Sequence, residues 1–349
     1  MIQIGIVGTG WVAAYHVRAL RELGMDVVAV VGSSVEKAEA FAKEWGIPRY
    51  GAELEMLFVP EITAVHVCTP PKGHYGQIRE LLLRGKHIFC EKPLSLCIEE
   101  AKELAELAEQ SGLVCRVGFN VRAYAQCQKA RELVQEGALG RLLLIHGSYL
   151  QEFGANPAQW SWRYESALHA VTEIGSHWLD LVQYLSGEKI TAVSAVLDKF
   201  HPVRYEKEGL LYAEAQAGAR AVEVPSEDVA LIHFRTEQGA IGSVVLSELS
   251  HGHGNRLAVE FTGERATLSW NSEEPTKLQF AHKGERNTLY QEDSFDDTFA
   301  KQFRSFYASI GEKSPCFLPD FREAYGNVAL CEAILESDRN HSAWRSVRL

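Results

Sequence analysis

The chain lacks several features whose presence would have placed it elsewhere. No apolar run among its 349 residues approaches the roughly 20 needed to span a bilayer. The opening segment, MIQIGIVGTGWVAAYH, carries neither the basic stretch nor the small-residue cleavage site of a secretory leader. No membrane partner is expected, and the expected location is the cytoplasm. Positive charge is also short: 35 Lys and Arg stand against 46 Asp and Glu, for a net charge of −11. Nucleic-acid binding rests on a clustered surplus of Lys and Arg, so that class of partner is not expected. The seven cysteines (Cys68, Cys90, Cys97, Cys115, Cys127, Cys316 and Cys331) are odd in number and contain no CxxC pair. They read as reduced packing residues. Internal repeats and long linkers are missing too.

What is present is an ordinary globular composition, 46% hydrophobic and 23% charged, at a length that exceeds one domain. The first third alternates short apolar runs with helical spacing. Strands are expected at Ile2–Val7, Val27–Val31, Ala64–Val67, Ile88–Cys90 and Leu113–Val117. Helices are expected at Trp11–Leu23, Val35–Trp45, Lys72–Leu83 and Ser95–Gln110. That alternation predicts an α/β fold with a doubly wound parallel sheet, which binds ligands at the carboxyl ends of its strands. From Thr191 to Tyr290 the chain offers mainly strand-like stretches separated by Gly, Asn and Pro turns, which predicts a large, mainly antiparallel sheet. Helices at Ala123–Glu136, Leu168–Leu185, Asp297–Ile310 and Phe321–Ser337 are expected to flank it. The expected domains are residues 1–122 and 123–349.

Gly8, Gly10 and Ala13 form GxGxxA directly after the first strand. The first glycine permits the tight turn, the second lets a pyrophosphate approach the backbone, and the small third residue lets helix pack on strand. Gly8, Thr9, Gly10, Trp11 and Val12 are therefore candidate dinucleotide contacts. The carboxylate that would bind a ribose 2′-hydroxyl after the second strand is missing, because Val31 is followed by Gly32-Ser33-Ser34 and Asp26 precedes the strand. Ser33, Ser34 and Lys37 can donate to a 2′-phosphate, so NADP is favoured over NAD. The competing reading is that the serines only cap the next helix.

Cys90-Glu91-Lys92-Pro93 ends a buried strand, and the Lys92–Pro93 bond is a candidate for cis geometry. Beside an oxidised nicotinamide, the Lys92 ammonium can donate to a substrate hydroxyl and stabilise the forming alkoxide. In HAVTEIGSHWLDLVQYLSG, an apolar stripe runs through Val171, Ile174, Trp178, Leu181, Val182 and Leu185. Glu173, His177 and Asp180 share the other face. His177 is the candidate general base, with Glu173 placed to orient its imidazole. His251 and His253 lack a third ligand at a recognisable spacing, so no metal is expected. Trp160-Ser161-Trp162-Arg163-Tyr164 suits either stacking and phosphate holding or domain-interface packing.

These motifs resemble the glucose-fructose oxidoreductase, inositol dehydrogenase and rhizopine-catabolism (Gfo/Idh/MocA) family. The matches are GTGWVA at 8–13, CTPPKGHYG at 68–76, EKP at 91–93, VGFNVR at 117–122, WR at 162–163 and EIGSHWLD at 173–180, and Phe303–Ser337 is similar to the closing helices. The resemblance implies a Rossmann domain followed by an α/β domain whose open sheet often forms an oligomer interface, hence a dimer or tetramer. It implies catalytic roles for Lys92 and His177 and places Thr69, Pro70 and His74 beside the nicotinamide ribose. It also implies cofactor contacts for Glu91, Trp162 and Arg163, and places Asn120 at the border of the substrate pocket with Lys92 and His177; Tyr164 of the aromatic cluster and Asp180 of the helix face are further candidate substrate contacts. Two departures stand out. Glu173 replaces the Asp of many polyol dehydrogenases, and Ser166-Ala167-Leu168-His169 replaces a glycine run.

The implied activity is NAD(P)-dependent hydride transfer at a carbinol carbon of a sugar, inositol or related polyol. A glycosidase using transient oxidation and a non-catalytic dinucleotide sensor are the alternatives.

Overall fold

The structure is a computed structural model and describes residues 2–165, 170–225, 227–285, 288–291 and 297–347, with only the backbone described at Trp162 and Glu165. The chain divides into two compact units.

The first unit opens with β1 (Gln3–Val7), α1 (Trp11–Glu22), β2 (Asp26–Val31), α2 (Val35–Trp45), β3 (Arg49–Gly51), β4 (Ile62–Val67), α3 (His74–Leu83), β5 (His87–Cys90), α4 (Ile98–Ser111) and β6 (Cys115–Val117). The six strands run parallel in the order β3-β2-β1-β4-β5-β6. Both sheet faces are covered, which is why the central strands are dominated by buried apolar residues. Ile4, Ile6, Val30 and Phe89 pack on one side; Val28, Val31, Val65, Val67, Ile88 and Cys90 pack on the other. Strand order reverses at β1 and β4, the topological switch point where such sheets bind ligands. β3 was not anticipated, since three half-exposed or exposed residues carry no periodicity.

The second unit begins with α5 (Ala125–Gln135), β7 (Leu142–Leu150) and β8 (Ala158–Gln159). It continues through α6 (Ser176–Ser186), β9 (Ile190–Asp198), β10 (Val203–Lys207), β11 (Leu210–Tyr212), β12 (Arg220–Glu223), β13 (Val229–Thr236) and β14 (Ile241–Ser247). It then adds β15 (Arg256–Gly263), β16 (Ala266–Asn271), β17 (Lys277–His282) and β18 (Thr288–Gln291). A four-stranded sheet, β12-β10-β11-β8, packs Leu211 and Val222 with Tyr164. β7 was also not anticipated, yet it lies inside the nine-stranded sheet, parallel to β14 and antiparallel to β15.

The closing helices are α7 (Thr298–Gly311) and α8 (Phe321–Arg339), followed by β19 (Arg345–Ser346), which pairs with β9 at the edge of the large sheet. The units are Met1–Ala123 with Asp296–Val328, and Tyr124–Phe295 with Ala329–Leu349. The division at 122/123 therefore needs a correction: the return segment belongs to the first unit. Its physical reason is burial, since Phe303 and Phe306 of α7 are fully enclosed with Ile6 and Phe89. Among the described residues, no helix is long and apolar enough to cross a membrane.

Candidate active site

Gly8 closes the turn after β1 with φ +114°, and a Cβ there would lie 2.8 Å from the carbonyl oxygen of Cys68. Only glycine satisfies both conditions. Gly10 is different: a Cβ there would meet nothing within 4 Å. Gly10 is the N-cap of α1 and supplies no side chain to the first-turn N–H groups. An open cradle beneath uncapped donors fits a pyrophosphate. Ala13 is fully buried, whereas Trp11 is exposed and meets Tyr15 edge to face. Thr9 and Val12 are half-buried beside them.

At the end of β2, the Ser34 hydroxyl accepts from the Lys37 N–H and caps α2, as the competing reading held. Lys37 Nζ donates to Ser33 Oγ at 3.3 Å. A hydrogen bond from Ser34 holds the Glu36 carboxyl below its ordinary range.

The hydrogen-bond ladder continues past the strand ends. Gly8 donates to Val31, Cys68 to Val7, Glu91 to Val67 and Gly118 to Cys90, all at 2.8–2.9 Å. This sets the dinucleotide turn, the Thr69-Pro70 loop and Glu91-Lys92 along one edge of the first unit. His74 lies between two carbonyl oxygens, with Nδ1 2.8 Å from Pro93 and Nε2 2.8 Å from Thr69. Burial lowers its pKa, and those two carbonyls oppose the shift. The Lys92–Pro93 bond is cis. Asn120, half-buried, opens a short helical turn beyond β6.

In the second unit, the expected continuous helix from Leu168 is corrected. Leu168 lies outside the described residues, and Ala170–Gly175 is a π-helical stretch leading into α6. The wider turn alters the angular relation of Glu173 to His177, and such stretches are frequent at functional sites. Glu173 is engaged by Arg163, whose Nε lies 3.1 Å from Oε1. His177 is half-buried, with the Tyr149 ring centroid 6.4 Å away. The Tyr149 hydroxyl donates to Asn255 Oδ1 at 2.7 Å, and Gln151 Nε2 donates to the same oxygen. Burial raises the Tyr149 pKa, and the Glu173 and Glu248 carboxylates add to the shift.

Asp180 is buried on α6. The assignment of Tyr164 to a ligand surface is corrected: it is fully buried, its ring stacks on Phe153, and its hydroxyl donates to the Phe153 carbonyl. The Trp162 side chain and the 166–169 departure lie outside the described residues. All seven cysteines are free thiols, five of them buried. Sequence reasoning missed Tyr149 and Asn255, which carry no motif. It also missed His16 and His66, which read as helix and strand interior.

A six-stranded parallel sheet in the order 3-2-1-4-5-6 with a glycine cradle at its switch point defines a dinucleotide-binding oxidoreductase fold. Residues 2–119 match the oxidoreductase family described as having an NAD-binding Rossmann fold, and residues 127–269 match the Gfo/Idh/MocA C-terminal domain. The chain belongs to the Gfo/Idh/MocA oxidoreductase family. It is 27% identical to levoglucosan dehydrogenase of Pseudarthrobacter phenanthrenivorans, over 98% of this chain and 97% of that one. It is 30% identical to scyllo-inositol 2-dehydrogenase (NAD(+)) of Bacillus subtilis, over 74% and 78%. Levoglucosan dehydrogenase in complex with NADH and levoglucosan superposes with a TM-score of 0.90 at 25% identity, covering 99% of each chain.

Proposed function

We propose that the protein transfers hydride reversibly between NAD(P) and a carbinol carbon of a sugar, inositol or related polyol. The observation that carries this reading is the place of Lys92. It directly follows ladder-held Glu91 at the carboxyl end of β5, on the same sheet edge as the Gly8–Gly10 turn. The nicotinamide, when bound, accepts or returns the hydride. Lys92 donates to the substrate hydroxyl and stabilises developing alkoxide charge. His177 takes the hydroxyl proton as general base. Glu173, held by Arg163, sets the electrostatics beside His177. Asn120 and Asp180 help shape the substrate site. Gly8 to Val12 hold the pyrophosphate, Thr69, Pro70 and Glu91 meet the nicotinamide end, and the buried His74 holds the Thr69 and Pro93 carbonyls beside it.

NAD is the proposed cofactor. The relatives whose names specify a dinucleotide specify NAD(+) or NADH, and the earlier preference for NADP finds no support among them. Ser33 and Lys37 leave NADP tolerated, because no carboxylate immediately follows Val31 to repel a 2′-phosphate. The free thiols support a cytoplasmic setting. A homo-oligomer is supported by one face of the nine-stranded sheet, where Val196, Leu231 and Val245 stand opposite one another across β9, β13 and β14 and remain exposed.

The test is a screen of sugars and polyols with NAD and NADP, following reduced-nicotinamide absorbance. On the best substrate, Lys92→Met is expected to lower kcat by roughly 10²–10⁴-fold while dinucleotide binding persists. Near wild-type turnover in that variant would overturn the mechanism.

A further inference from the structure

Inside the first unit, a line of buried polar side chains runs from α7 to the sheet edge. Tyr307 Oη is 2.8 Å from His66 Nε2, His66 Nδ1 is 2.9 Å from His16 Nδ1, and His16 Nε2 is 3.0 Å from Glu91 Oε1. Cys68 Sγ lies 3.2 Å from the same His16 Nδ1. Phe303 meets both imidazoles edge-on at 4.8 Å, and Phe89 stacks on His66 at 5.0 Å. The rings wall His16 and His66 off from water, while Glu91 at the sheet edge is half-buried.

The protons in this line have a direction. An ionised carboxylate only accepts, so His16 Nε2 carries hydrogen toward Glu91. In the neutral ring His16 Nδ1 then presents its one lone pair, which accepts from His66 Nδ1–H at 2.9 Å, with the Cys68 thiol a weaker second contact at 3.2 Å. His66, with its proton on Nδ1, presents Nε2 as an acceptor, and the Tyr307 hydroxyl supplies the donor. Burial keeps His66 neutral and the Tyr307 hydroxyl and Cys68 thiol protonated, pushing His66 well down and Tyr307 and Cys68 well up. The three contacts from Tyr307 to Glu91 are thereby satisfied in one sense, and a satisfied buried network selects a single geometry.

We infer that His16 is a positioning residue for the dinucleotide: it holds Glu91 Oε1, so that Oε2 and the adjoining Lys92 are presented to the bound nicotinamide end. His66 and Tyr307 set the tautomer that lets it do so. This rests on the proposed dinucleotide-dependent reaction, but its first test does not.

Long-range ¹⁵N–¹H spectra of the histidine-labelled, dinucleotide-free protein are expected to show His16 protonated on Nε2 and His66 on Nδ1. His16 protonated on Nδ1 alone would overturn the inference. Nicotinamide-fluorescence titration with NADH provides the second readout. His16→Leu is expected to raise Kd about tenfold or more. His16→Gln, whose amide N–H reaches a similar distance, should remain within about threefold of wild type. Tyr307→Phe should raise Kd about threefold and free the His66 tautomer. A purely structural role would lower Tm in both His16 variants and leave Kd unchanged for folded protein, and that result would also sink the inference. If His16→Leu does not fold, Tyr307→Phe and the tautomers decide. Failure to find any oxidisable alcohol would count against the proposed reaction while leaving these binding and tautomer results to stand or fall separately.

Discussion

Arg163 Nε and Glu173 Oε1 lie 3.1 Å apart, tying the turn at Trp162–Glu165 to the π-helical stretch Ala170–Gly175. Their side chains are 23% and 14% exposed, so water screens the pair only partly. Glu reaches one methylene further than the Asp of many polyol dehydrogenases, and here that reach ends on a guanidinium. Glu173→Asp is expected to lengthen or break the pair, lowering stability by about 1 kcal/mol and lowering kcat more than it raises dinucleotide KM. Urea unfolding and initial rates check both, and an unchanged kcat would remove Glu173 from the reaction.

The two glycines of the first turn are expected to fail in different ways. Gly8→Ala places a Cβ 2.8 Å from a backbone carbonyl at φ +114°, for an expected loss of roughly 1–3 kcal/mol. Gly10→Ala meets no neighbour and has φ −81°, so Tm should hold within a degree or two while NADH affinity falls. Equal thermal shifts in the two variants would refute the distinction between backbone strain and a ligand cradle.

Stability is expected to fall in mild acid. Burial lowers the pKa of His66 and His74 below the ordinary 6.5, so between the folded and unfolded pKa values the unfolded chain binds more protons. Stability rises with pH through that window; it is fully present above about 6.5 and is lost as pH falls below it. Urea midpoints measured from pH 8 to pH 5 should decline, and His66→Phe should flatten the decline. A midpoint that rises toward pH 5 would contradict the neutral, buried assignment.

The apolar row across β9, β13 and β14 offers a direct test of association. Leu231 is 46% exposed and sits between Val196 and Val245. Leu231→Lys should shift the light-scattering mass toward the monomer without changing the unfolding profile of the isolated chain. An unaltered mass would place any interface elsewhere.

Much of the first unit was legible because its determinants are local. A strand buried on both faces reads as a continuous apolar run, as Val27–Val31 does, and a turn needing positive φ must carry glycine, as Gly8 does. Lys92 was recognisable from its place after such a strand. β3 and β7 were not, because a three-residue strand and a strand with mixed exposure carry no clean period.

The sequence by itself determined the parallel α/β unit, its glycine turn, the sheet-rich second half and which residues are candidates for the site. Tertiary structure alone decided what those residues touch. It returned α7 to the first unit and brought Tyr307 to His66 across 241 positions. It also widened the helix at Glu173, delivered that carboxylate to Arg163, and buried Tyr164 beneath the small sheet. Local conformation is written in short-range sterics and periodicity. A contact between distant segments depends on which faces pack together, and no single segment encodes that.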